Sequence, residues 1–206
     1  MATLRLADGA RRLADEAARL AALAAAGEAV PQIVAFAADC MVLRHVGETL
    51  EHGLRGMSPT ETTEALDAAI DDLARFHRAG HWHGGAQVKN LTRNAGQLYR
   101  IDFEEDIGAY LPLPIVQAYD LILLVNSVTL LHGMDERTST ELATHLLTRY
   151  FDRHQAGEEI RAVLRRAQPA LAAACRLLAP WRYRRGRSLK RIYVLRDALH
   201  ESIGRH

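Results

Sequence analysis

The stretch from Ile115 to Leu131 is apolar on nearly every face apart from Asp120 and Asn126. A helix hydrophobic all round must be buried, in a protein interior or in lipid. The carboxylate of Asp120 breaks this run, and the chain's other long apolar stretch is broken at Glu28, so neither reads as a membrane span. The Ile115–Leu131 segment is therefore expected as a buried central helix with other helices packed around it. An ionised carboxylate inside such a helix cannot stay unpaired, so Asp120 needs buried hydrogen-bond donors.

A chain of 206 residues that is 49% apolar can supply that wrapping from one domain with a small annex. Its 26 basic and 25 acidic residues leave a formal charge of +1, which excludes a global field for nucleic acid or anionic membrane. Cys40 and Cys175 are far apart and form no CxxC, so no disulfide framework or zinc ribbon is expected, and each reads as a small buried hydrophobe. The first residues carry no apolar signal region. A cytoplasmic protein is the expectation.

The pattern predicts a short strand over Thr3–Leu6, a helix over Ala10–Ala26 ended by Gly27, and a hairpin of Gln32–Phe36 with Cys40–Arg44. A helix should start near Glu48, and a longer one, capped by Ser58 or Thr60, should run to about His77 and stop at Gly80. Val88–Thr92 and Gln97–Asp102 flank Arg93-Asn94-Ala95-Gly96, a tight hairpin with Gly96 at positive φ. From Pro114 onward the chain should be helical, with breaks near Gly133, Gly157, Pro169 and Pro180.

The densest polar cluster is the loop between these elements. From His83 it reads H-G-G-A-Q-V-K-N, and Asp102 of I-D-F-E follows Asn90 by twelve residues, across the hairpin. Magnesium takes hard oxygen ligands and needs about one or two protein groups besides phosphate; Asn90 and Asp102, returned to each other by the hairpin, can supply them, whereas taken singly Asn90 reads as a turn residue and Asp102 as a solvated strand end. This spacing resembles the protein-kinase catalytic loop, H-R-D-x-x-x-x-N followed by D-F-G. The chain is most similar to small atypical kinases: the RIO type, lipopolysaccharide-core kinases and aminoglycoside phosphotransferases. Glu16 stands where their helix glutamate would, Val30-Pro31 precedes the hairpin, Gly47-x-x-Leu50 follows the hinge-like strand, and L-A-R-F-H-R-A-G-H-W-H-G leads into the loop.

The resemblance implies an α+β, mainly α, kinase-like fold with a reduced small lobe over 1–46 and a helical lobe over 47–206. It implies ATP and Mg²⁺ as cofactors. Asn90 and Asp102 would hold the metal, Arg5 and Glu16 would border the phosphates, Asp120 would brace the catalytic loop, and His83 would support it.

The departures are equally specific. Gly85 occupies the catalytic aspartate's place, and glycine can neither accept a proton nor orient a hydroxyl. Glu104 and Glu105 are the nearest substitutes; Glu104 reads as a base, as a further metal ligand, or as a solvated acid. No G-x-G-x-x-G occurs, and fifteen residues before Glu16 cannot hold a full small lobe, so the chain is either a truncated relative or its start lies downstream of the true one. Arg5 would then stand in for the strand lysine and pair with Glu16, although arginine is bulkier and planar.

Two further clusters carry chemistry. His77, His81 and His83 have a spacing that could bind zinc, which would suit a metal-dependent hydrolase. No Asp or Glu lies between Arg161 and Arg196, where Arg182, Arg184, Arg185, Arg187, Lys190 and Arg191 surround Trp181 and Tyr183. That region suits RNA, an acidic partner or anionic lipid headgroups, or is simply a solvated helical face. The readings carried forward are a phosphotransferase acting on an alcohol of a protein, sugar or lipid-linked acceptor, and a pseudokinase that binds or regulates without chemistry.

Overall fold

The structure, a computed structural model, describes residues 2–37, 39–154, 157–181 and 186–204, with side chains for all of these except 2–8, 10, 132, 181 and 186–188. The first element is a helix, α1 (Ala2–Ala25). The strand expected over Thr3–Leu6 is absorbed into it. Alanine, leucine and arginine are strong helix formers, and a lone strand would leave its backbone groups unpaired. Gly27, at φ +81°, closes α1 with bonds from the Gly27 and Glu28 amides to the Ala24 and Leu23 carbonyls, at 3.0 and 2.9 Å.

The hairpin of β1 (Ile33–Phe36) and β2 (Met41–Leu43) pairs with no other strand among the described residues. Its Ile33, Met41 and Leu43 pack on a small core made by Leu20, Leu23 and Val30 together with Phe76 and Phe103 from further along the chain. The end of α1 and the hairpin are thus fastened to the body through shared apolar contacts. Only one side of the hairpin is covered, which is why Cys40 in its turn is exposed, contrary to the sequence expectation.

The helix expected at Glu48 begins two residues later. Glu48–Thr49 is a short strand, β3, that pairs antiparallel with β4 (Leu91–Asn94), itself paired with β5 (Gln97–Arg100). Gly47 permits this: its φ is +96°, and a Cβ there would run into the Arg93 carbonyl. Helix α2 (Leu50–Leu54) follows. Helix α3 (Pro59–Arg78) starts at a capping box in which Ser58 and Glu61 satisfy each other's amides. Between β4 and β5, Ala95 and Gly96 both have positive φ, the two-residue turn that suits strand twist.

Helix α4 (Leu113–Val128) is the central one, with Val116, Asp120, Leu121, Leu124 and Val125 buried. It is not covered all round: Leu113, Ile115 and Tyr119 keep about two-fifths of their surface exposed, at 39, 38 and 45%. Helices α5 (Glu136–Arg153), α6 (Glu158–Leu178) and α7 (Gly186–Ile203) pack on α4 but leave that side open. Pro169 does not break α6. A proline removes one helical hydrogen bond, and the packing of α6 on α4 and α7 carries the helix through. Arg149 ties α5 to α3 through Asp71, at 2.7 and 2.8 Å, and Asp67, at 3.1 Å. The result is a mainly helical α+β protein, with two small sheets among the described residues. Among the described residues no helix is long and apolar enough to cross a membrane.

Candidate functional site

The loop joining α3 to β4 is held from below by the central helix. Asp120 is fully buried, and its two carboxylate oxygens accept hydrogen bonds from the backbone amides of His83 (2.5 Å) and Gly84 (2.8 Å). His77 Nε2 lies 3.5 Å from the same carboxylate, while His77 Nδ1 is 2.7 Å from the Tyr150 hydroxyl. Burial alone would raise the Asp120 pKa; His77 and the loop amides outweigh it and hold the carboxyl below its usual range.

His83 joins this loop to the end of β5. Its Nδ1 accepts from the Gly85 amide at 3.1 Å, so its Nε2, 3.0 Å from the Ile101 carbonyl, must be the protonated nitrogen. The ring stacks on Phe103 at 4.4 Å. Burial pushes its pKa down to about 4, so it is neutral at pH 7. Gly84 has φ +90°, and a Cβ there would stand 3.0 Å from the Glu105 carbonyl, so the two loops pass as close as glycine allows.

The hairpin returns Asp102 to the side of Asn90. The Ile101 amide donates to the Asn90 carbonyl at 3.0 Å, extending the β4–β5 ladder one residue beyond Leu91 and Arg100. Asn90 is buried and spends its side-chain NH₂ on the Gly85 carbonyl at 2.9 Å, which leaves the amide oxygen as its remaining polar atom. Asp102 adopts φ +70°, and its carboxylate has no hydrogen bond or ion pair among the described residues. An amide oxygen and an unspent carboxylate at one end of a hairpin are hard donors of the kind magnesium takes. The Gly85 backbone is not at positive φ, and a Cβ on it would point toward Asn90, 3.4 Å from Nδ2.

Helix α1 closes the other flank. Glu16 accepts from the Phe103 amide at 3.2 Å; its pKa is raised by burial and by Asp102 and Glu104 nearby. One turn on, Arg19 donates to the carbonyls of Trp82 (2.7 Å), Glu105 (3.0 Å) and Phe103 (3.5 Å) and lies flat on the Trp82 ring at 3.5 Å. Arg19 went unread in the sequence, where its only signal is the three-residue spacing from Glu16. Behind the site, Glu28 forms a two-pronged pair with Arg75 (2.9 and 2.8 Å), while the buried Arg100 bonds the Asp72 carboxylate and carbonyl. The Arg100 amide also donates to the Ala29 carbonyl at 3.0 Å, anchoring β5 to the segment after α1.

Other expected residues stand elsewhere. Glu104 is exposed and, with Arg11, Arg12 and Asp15, lines an open groove of about 560 Å³ against α1 that Asn90 and Asp102 do not line. Arg5 lies within α1, where no strand exists for it to replace a lysine on, and its side chain is outside the described residues. The three histidines do not form a zinc site. His77 and His83 are committed to Tyr150 and Ile101, and no group of three His, Cys, Asp or Glu among the described residues is placed to hold a metal. Of the basic region, Arg182, Arg184 and Arg185 lie outside the described residues, as does the Arg187 side chain; Lys190 is 3.6 Å from Glu136, and Arg191 is half-buried.

No protein-family model matches the chain, and no curated protein matches it.

Proposed function

We propose that the protein is a kinase-like ATP- and magnesium-binding module, with Asn90 and Asp102 as metal ligands and Glu16 beside them. The observation that supports the reading is the backbone pairing of Ile101 with Asn90, which brings the chain at Asp102 back beside Asn90, next to a loop braced by Asp120. A bound magnesium would neutralise phosphate charge there. The residues' own work is to offer two oxygens to the ion, beside a His83 that burial keeps neutral.

Gly85 favours a binding or regulatory role, because the position of the kinase loop's catalytic aspartate carries no side chain to accept a proton. The alternative is slow phosphoryl transfer to an alcohol acceptor, which rests on positioning and electrostatics more than on a base. Thermal denaturation of the full chain tests both. With Mg²⁺ present, and only then, ATP should stabilise the protein by about 2.7 kcal/mol at a hundredfold excess over Kd, read as a rise in melting temperature, and Asp102→Ala should abolish the shift. Transfer of radiolabel by the unmodified protein, lost in Asp102→Ala, would mark an enzyme; binding without transfer would mark the module. No shift with ATP and Mg²⁺ would end the nucleotide reading.

A further inference from the structure

Among the described residues, no carboxylate is in hydrogen-bond contact with the Arg19 guanidinium. Such a group is usually spent on a carboxylate or phosphate. Here its Nη1 and Nη2 serve three main-chain carbonyls on two separate loops: Trp82 before the braced turn, and Phe103 and Glu105 after Asp102. One face rests on the Trp82 indole at 3.5 Å, and the Phe103 ring lies 5.0 Å from it. Burial lowers its pKa to about 10, so it stays charged at pH 7 although partly stripped of water. Glu16, one turn earlier on α1, takes the Phe103 amide. The peptide groups on both sides of Phe103 are therefore held by one helix face.

The residue just before this clamped segment is Asp102, in a left-handed conformation that costs a non-glycine residue energy and persists only where the surroundings impose it. We propose that Arg19 is a positioning residue: its fork, with Glu16, imposes the left-handed backbone turn at Asp102 and so sets where the Asp102 carboxylate stands. The consequence for metal rests on the nucleotide reading above; the clamp itself does not.

The test uses the full chain as Arg19→Ala, Arg19→Lys and, as a control, Arg149→Ala, which breaks α3–α5 ion pairs away from the site. Hydrogen exchange at the Phe103 amide should be about 10- to 100-fold faster in Arg19→Ala, the cost of losing hydrogen bonds from a charged donor. The His83 and Gly84 amides, held by Asp120, should be unchanged, which a general loss of stability would not produce. Lysine has one ammonium and no fork, so Arg19→Lys should resemble the alanine variant. With ATP present, the Mg²⁺ concentration for half-maximal thermal stabilisation should rise about 10- to 100-fold in both variants, as for loss of a residue that orients a metal ligand, and stay put in Arg149→Ala.

Unchanged exchange at Phe103, or full rescue by lysine, would overturn the clamp. Faster exchange with an unchanged Mg²⁺ requirement would overturn the positioning role. If the unmodified protein shows no Mg²⁺-dependent ATP stabilisation, the nucleotide reading and the metal consequence fall together, and exchange alone decides whether Arg19 sets the turn.

Discussion

Asp120 and Asp102 lie eighteen residues apart and flank the same loop, yet their surroundings are opposite. Asp120 has no exposed surface and satisfies both oxygens with backbone amides, with His77 and Tyr150 extending the network into α3 and α5. Asp102 is half-buried, sits at positive φ and has no partner among the described residues. A buried, fully bonded carboxylate holds a fold together. A strained one that no described residue engages costs backbone energy and adds little to the fold.

The sharpest way to break this contrast is Asp120→Ala. Removing the carboxylate leaves the His83 and Gly84 amides unpaired inside the protein and should cost about 3–5 kcal/mol in urea denaturation. A loss under about 1 kcal/mol would show that the loop holds itself.

Acid probes the same network. The folded pKa of His83 is about 4 against about 6.5 unfolded, and His77 is also lowered by burial. Between these values the unfolded chain binds the protons, so stability is complete above about pH 6.5 and falls as pH drops toward 4. The loss from His83 is on the order of 3 kcal/mol. The melting temperature should be flat from pH 8 to 7 and decline steadily below 6. A decline that begins only below pH 4 would place the histidines outside the network.

Asp102→Gly should change stability by less than about 1 kcal/mol, because glycine relieves the left-handed strain while adding unfolded-state freedom. It should still abolish the Mg²⁺-dependent ATP shift. A large destabilisation would make Asp102 a structural residue like Asp120.

The smallest effect concerns neighbouring glycines. Gly85→Ala meets ordinary contacts at permitted φ and should stay within about 0.5 kcal/mol of the unmodified protein. Gly84→Ala, at φ +90° with the Glu105 carbonyl 3.0 Å away, should cost about 1 kcal/mol or more. Equal losses would mean that the loop is looser than its geometry.

Much of this was legible in the residues alone. Period and punctuation mark the central helix, the Ser58 cap, the stops at Gly27 and Gly80 and the Ala95-Gly96 turn, because each depends on interactions within a few residues. The need of Asp120 for buried donors also follows from local chemistry, since no apolar helix shelters a bare charge. What local signals could not decide was competition between elements. Thr3–Leu6 reads as a strand until the absence of a neighbouring strand leaves helix as the better-satisfied state, and Pro169 reads as a break until packing on two helices outweighs one lost bond. Arg19 shows the same limit. Its three acceptors lie 63 to 86 residues away and are main-chain carbonyls, which every residue carries and no side-chain pattern announces. Local periodicity and chemistry determine which segments form helices and turns and which charges need partners; which distant backbone groups meet those charges is decided only when the chain is packed.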